Sequence, residues 1–290
     1  MAKLKNIKEY LSTGDGTPGT LLIPKLIMEP LIDEVDKTLL PRELAAAVWT
    51  PDMLRNKGNT FNINLVEENT MDVREVGEGA EIPLDLAGYE SVEFEAKKYG
   101  VAIRITREMI EDAQFELFNQ QIRLAGKRFA EKETELIIDA LSNGANSTVA
   151  GGAQITIANI TEATQNLEDE DYSPTDLLVG NEVLNDLRNI DTFVEANKVG
   201  NTEMLTRGFL GNIYGLNVVR FSPNATSAPS TFKKYAFVLD RSKAYGLAIK
   251  RDLTVENFDL ATYDMQGAAL TWRFDVQLLR TKAVGKITTS

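Results

Sequence analysis

One run of residues constrains this chain more than any other: the unbroken helical stretch from Thr106 to Ser142. Thr106 suits an N-cap, because its hydroxyl can accept from a free backbone N–H of the first turn. Glu108, Glu111 and Asp112 follow near the positive end of the helix dipole. Apolar residues recur at Ile110, Ala113, Leu117, Phe118, Ile122, Ala125, Phe129, Leu136, Ile137, Ala140 and Leu141. That spacing matches a helical stripe and not a strand. Proline is absent from the run, Gly126 is its weak interior position, and Asn143-Gly144 supplies a stop. At about 1.5 Å per residue, such a helix spans roughly 55 Å, more than a compact domain needs. The pattern predicts a beam in an elongated molecule.

Composition narrows what the beam can serve. The chain has 290 residues, a length with a soft prior of about two domains. No segment approaches about 18 consecutive apolar residues, so no membrane-spanning helix is expected. Met1-Ala2-Lys3-Leu4-Lys5 lacks the apolar core of a signal peptide. Cysteine and histidine are both absent, which removes thiol nucleophiles, thiolate metal sites, the commonest general base and the commonest metal ligand. Carboxylates, Lys, Tyr and Ser/Thr are left for any catalysis. A net charge of −12 argues against a dedicated nucleic-acid binder, which needs a basic patch to neutralise phosphates.

Residues 1 to about 24 read as an arm, because Ser12-Thr13-Gly14-Asp15-Gly16-Thr17-Pro18-Gly19 has little to bury. Ile27 to Leu40, between Pro24 and Pro41, reads as a short helix. Ala45 to Trp49 reads as a short strand or buried connector, with Trp49 mostly in the core. Thr60-Phe61-Asn62-Ile63-Asn64-Leu65 alternates as a half-buried strand, with Val92 to Ala96, continued as Tyr99 to Ile105, as its natural partner. The apolar phase slips near Lys97-Lys98, which predicts a β-bulge.

Pairing those strands leaves a projection of about two dozen residues, a length compact domains rarely carry without purpose. Glu67, Glu68, Asp72, Glu75, Glu78, Glu81, Asp85 and Glu90 face one basic residue there, Arg74. A loop so charged repels itself and extends. It is either a solvated acidic loop or one that lies across a neighbouring copy. In the second reading Arg74, Glu75, Glu78 and Glu81 make the contact. Arg123, Lys127, Arg128 and Lys132 on the neighbour's long helix are the candidate acceptors.

A small-residue linker, Gly144 to Gly152, marks a boundary. Beyond it a helix is expected from Asn159 to Leu167, a buried strand at Thr175 to Gly180 and a helix from Asn181 to Ile190. A turn enters a strand at Asn212 to Val219, and Ser222 to Ser230 reads as a surface loop. Tyr235 to Leu239 is a buried strand, and Ala244 to Ile249 another. This alternation makes a small α/β unit. The tail, Leu253 to Phe258 and Gly267 to Ile287, is strand-rich around a loop from Asp259 to Gln266.

No chemistry stands out. Gly77-Glu78-Gly79 lacks the full phosphate-loop pattern and the helix after it, and its neighbours are acidic, so a turn is the better reading. Glu108, Glu111, Asp112 and Glu116 fit a solvated helix face better than a paired-acid site. Glu168-Asp169-Glu170-Asp171 lacks the spaced ligands and glycine of a calcium loop. Arg251, Arg273 and Arg280 could bind an anion, and intersubunit salt bridges fit them better. No metal, cofactor or catalytic residue is expected.

Val76-Gly77-Glu78-Gly79-Ala80-Glu81-Ile82-Pro83, then Tyr89 to Ala96, then Ile105-Thr106-Arg107-Glu108-Met109-Ile110-Glu111-Asp112 form an ordered set of motifs. That set resembles the tailed-bacteriophage major capsid protein family. The linker Gly144 to Gly152, the segment Gly208 to Val219 (lacking the family's proline) and Tyr235 to Leu247 add to it. Each motif alone is weak; their order covers nearly the whole chain from about residue 40.

The resemblance implies an α+β chain with the Hong Kong 97-type capsid fold. It would comprise an arm and short helix (1–45), a connector and extended β-hairpin loop (46–105) and the spine helix of a peripheral domain (106–143). An α/β axial domain (152–250) follows, then C-terminal strands (251–290) returning through the peripheral domain to the axial domain. The implied function is a virion shell of pentamers and hexamers, assembled in the host cytoplasm around non-specifically held double-stranded DNA. Its partners would be further copies of itself and a portal. Scaffolding would be a separate protein or absent, because the spine begins too early to leave room for a cleaved scaffold segment. Residues 67–90 contain no lysine, so a lysine crosslink from the loop tip is not expected. The alternative is an encapsulin-type nanocompartment shell around a cargo enzyme. A carboxylate-dependent hydrolase would instead need a pocket with two convergent carboxylates.

Overall fold

The computed structural model describes residues 41–55, 58–66, 73–79, 81–82, 84, 86, 88–106, 108, 115–190, 209–221 and 230–289. The expected arm, the helix at 27–40 and nearly all of the loop at 222–230 lie outside these residues.

The described part of the long helix, α1, runs Phe115–Gly144. Thr106, expected to cap it, closes a strand, β4 (Lys97–Thr106), opposite Met265 of β11 (Met265–Leu278), and most of the turn it was expected to cap lies outside the described residues. Beside these lie β10 (Tyr245–Leu260) and the short β1 (Ala47–Trp49), giving a sheet in the order β1-β10-β11-β4. The two expected strands at 244–249 and 253–258 are therefore one. Register shifts between Ile249 and Thr254 keep both halves in one ladder with β11. The loop expected from Asp259 to Gln266 is short, a 3-10 turn at Ala261–Tyr263.

A two-stranded sheet pairs β2 (Thr60–Val66) with β3 (Tyr89–Glu95), Phe61 opposite Phe94. The phase slip at Lys97-Lys98 is no bulge within one ladder. At Ala96, which is buried, the chain leaves β2 and enters β11's sheet as β4. The change of partner reverses which face must be apolar, and that is what the sequence phase records.

The six-stranded sheet has the order β5-β12-β9-β6-β8-β7. It contains β5 (Ser147–Ala150), β6 (Asp176–Val179), β7 (Phe209–Ile213), β8 (Leu216–Arg220), β9 (Tyr235–Leu239) and β12 (Val284–Thr288). The expected linker at 144–152 is thus partly a strand, because β12 arrives from the C-terminal end to pair with it in parallel. The turn at Tyr214-Gly215 has φ of 49° and 86°, the mirror-image turn that suits a two-residue hairpin between β7 and β8.

Alternation divides this sheet between two cores. Leu177, Val179, Ala236, Val238 and Ile287 face α2 (Ile157–Glu168) and α3 (Asn181–Arg188). Leu178, Phe237, Leu239 and Val284 join a second core with Ile122, Phe129, Ile137, Ile138 and Leu141 of α1 and with Leu270, Trp272 and Phe274 of β11. The helix α2 starts two residues before the expected Asn159, because Thr156 and Asn159 form a capping box.

Candidate intersubunit surfaces

The hairpin β2–β3 could not hold its shape alone, since two isolated strands are marginal in water. Its root is anchored by a third core, in which Phe94 stacks on Phe61 with ring centroids 5.7 Å apart and meets Trp49 edge-on at 5.3 Å. Trp49, expected mostly in the core, is half-buried and covers this root. Two arginines tie the hairpin to the C-terminal strands. Arg273 donates to Asn59 Oδ1 and, at 3.5 Å, to the Ala96 carbonyl. Arg280 donates to the Val66 carbonyl and, at 2.6 Å, to Glu90 Oε2. These two arginines, expected to bridge subunits, are used within the chain; Arg251 is exposed.

Between Val66 and Tyr89 the described residues are exposed, apart from Gly88. All described residues from Val73 to Gly79 are exposed, Arg74, Glu75 and Glu78 among them, and so is Glu81. Gly77-Glu78-Gly79 forms a turn with Gly79 at φ 77°, a conformation glycine adopts without strain. Charge is not the whole of this surface. Val73 is 99% exposed, Leu84 94%, Leu86 91% and Ile82 73%. The reading by charge missed them, although Ile82, Leu84 and Leu86 alternate at strand spacing.

On α1 the four expected cations are differently engaged. Arg123 and Lys127 are exposed. Arg128 pairs with the nearly buried Glu131 at 2.7 Å, and Lys132 with Glu135 at 2.9 Å. Each i,i+3 pair holds its cation along the helix. Leu124, 52% exposed, lies among these cations.

A buried ion pair fixes the helix to the chain before β1. Arg42, in the 3-10 turn Pro41–Leu44, donates through Nε and Nη2 to the two carboxylate oxygens of Glu133, at 2.9 and 2.6 Å. The Arg42 guanidinium also lies 5.0 Å from the Trp272 ring centroid. Burial pushes the Glu133 carboxyl above its ordinary range, against the opposing pull of Arg42. Asp139 is raised as well, by desolvation and then by Glu135. Glu133 sits on the stripe of Phe129 and Ile137, four residues from each, and that position was the sequence signal for its burial.

Nothing among the described residues gathers three or more carboxylates as a metal site. Glu170, within the acidic run considered for calcium, pairs with Lys282 at 2.7 Å. A cleft of about 480 Å³ holds Glu182 and Asp186, but Asp186 accepts a hydrogen bond from the Ile155 N–H.

This architecture has known counterparts. The family model for phage capsid proteins matches residues 89–286, from the start of β3 into β12. The chain belongs to the phage capsid protein family. Solved structures resemble it across most of its length. The match to Mycobacterium phage Bobi has a TM-score of 0.62 at 19% identity, covering 87% of this chain and 90% of that one. Gordonia phage Cozz gives 0.64 at 11% identity, over 87% and 86%. The virus-like particle from Pyrococcus furiosus gives 0.60 at 10% identity, over 91% and 99%. No curated protein matches the sequence. At such identities the likeness is one of fold, and the fold is the Hong Kong 97 type. In this capsid protein α1 is the long spine helix and β2–β3 the base of the extended loop. As a capsid component it is located in the virion.

Proposed function

We propose that the protein builds a closed icosahedral shell of pentamers and hexamers around non-specifically held double-stranded DNA, and that it has no catalytic role. The observation that carries this reading is the projecting loop, whose bared apolar and acidic side chains need a partner surface. That partner is a second copy. The loop tip at Arg74, Glu75, Glu78 and Glu81 lies against the neighbour's helix face of Arg123, Lys127, Arg128 and Lys132, with the exposed Arg123 and Lys127 as the main partners because Arg128 and Lys132 already pair with Glu131 and Glu135. The exposed Leu124 there matches the loop's own apolar residues. Such head-to-tail contacts close into rings when the rotation permits. The unit of α1 with β1, β4, β10 and β11 serves as the peripheral domain, and the six-stranded sheet with α2 and α3 as the axial domain. A portal and a separate scaffolding protein complete assembly in the host cytoplasm.

A second reading, a nanocompartment shell around a cargo enzyme, draws support from the likeness to the Pyrococcus furiosus particle. Negative-stain microscopy of the expressed protein, with light scattering and analysis of the contents, tests both. Closed shells support the shell reading, and the packaged material separates genome from cargo. Monomers or dimers at every salt concentration, even with a co-expressed scaffold, would refute it.

A further inference from the structure

Arg280 occupies a junction. It lies between the end of β11 and the start of β12, where the chain passes from one large sheet to the other. Its backbone is fixed there, because the Leu279 N–H donates to the Ala244 carbonyl at 2.9 Å and the Arg280 N–H to the same oxygen at 3.4 Å. From this point the side chain reaches across to the hairpin. It donates through Nη2 to the Val66 carbonyl and through Nη1 to Glu90 Oε2. Val66 is the last residue of β2, and Glu90 lies one residue inside the start of β3. The contact therefore falls where the paired strands end and the projection begins. The Arg280 side chain is 13% exposed and Glu90 56%, so a largely covered guanidinium reaches hydrogen-bond partners at the surface. A planar guanidinium with two donors on two strands fixes direction as well as distance, which a single lysine ammonium does not.

We propose that Arg280 is a positioning residue for assembly: it clamps the hairpin at the point of projection and ties the loop's direction to the junction between the two sheets. The proposal rests on the loop contacting a neighbouring copy. Multivalent shells amplify such an effect, because a loop aimed wrongly loses its avidity even while the subunit stays folded. Arg273, at the root of the hairpin, is the structural counterpart that holds the base while Arg280 aims the exit.

The test compares the full chain with Arg280→Ala, Arg280→Lys and Glu90→Gln. Three quantities are read: thermal stability of dissociated subunits, hydrogen exchange in peptides spanning Thr60–Val66 and Tyr89–Glu95, and the yield of closed shells. Arg280→Ala is expected to raise exchange in those two strands, leave the other strands protected, and lower shell yield at least about tenfold. Arg280→Lys restores the subunit's melting temperature but not the yield, a split that a merely structural residue would not give. Unchanged exchange at both strands in Arg280→Ala would overturn the clamp. Raised exchange with normal shells would leave the clamp standing and overturn the loop contact on which assembly is argued to depend. A general rise in exchange across both large sheets would overturn the positioning role in favour of plain stability.

Discussion

Arg42 and Glu133 lie 91 positions apart, yet they meet through two hydrogen bonds on a carboxylate with no exposed surface. Removing one partner leaves the other charge buried and unpaired. Arg42→Ala should therefore destabilise the subunit by about 3–5 kcal/mol, whereas replacing both partners by apolar residues of similar volume should cost much less. Urea unfolding of the single and double variants checks this.

Glu133 also sets a pH dependence, together with Asp139. Glu133 and Asp139 both have carboxyl groups raised above their ordinary values, mainly by burial. A raised carboxyl binds its proton more tightly in the folded state. Its contribution to stability is complete below the unfolded value, about 4, and is lost as pH rises through the higher folded value. The stability of the wild type relative to Glu133→Gln should accordingly decline as pH rises above about 4. Denaturation midpoints of both proteins across that range decide it; a difference that grows with pH would contradict the burial argument.

Reversing charge at the loop tip should separate assembly from folding. Glu78→Lys with Glu81→Lys alters two exposed side chains, so subunit stability should move by no more than about 0.5 kcal/mol. Shell yield should fall sharply, and reversal of Arg123 and Lys127 to Glu in the same chain should restore part of it. Normal particle yield from the loop variant would refute the neighbour contact.

The apolar residues of the loop invite a parallel experiment. Leu84→Ser and Leu86→Ser leave no cavity in the subunit, because each side chain is more than nine-tenths exposed. Thermal unfolding should be unchanged while light scattering shows slower and less complete assembly. If assembly survives these changes but not the charge reversal, the contact is electrostatic and should weaken with salt.

Phe94→Ala attacks the root of the hairpin. The ring is fully buried between Trp49 and Phe61. Its loss should cost about 3–5 kcal/mol, read by urea unfolding of the dissociated subunit.

How much of this was legible beforehand follows from the range of the interactions. The apolar stripe from Ile122 to Leu141, the alternation in Thr60–Leu65 and the buried run at Tyr235–Leu239 are local periodicities, and each reports which side of its own element meets a core. The exposure of the acidic stretch around Glu75, Glu78 and Glu81 was legible too, because excess like charge repels itself and stays in water. The strand within 144–152 was not legible, since its partner β12 arrives from the far end of the chain. Nor was the meaning of the phase slip at Lys97-Lys98. It registers a change of face, but only the assembled sheets show that the chain exchanges β2 for β11 there.

The sequence by itself determined most of the elements, the long helix, the lack of histidine and cysteine chemistry, and the ordered motifs of a capsid family. The tertiary structure decided which charges remain available. Arg128 and Lys132 are drawn onto Glu131 and Glu135, Arg273 and Arg280 onto the hairpin, and Arg42 onto a buried Glu133. The reason is physical. Periodicity follows from neighbours a few residues away, while the cost of desolvating a charge depends on whatever the fold brings against it.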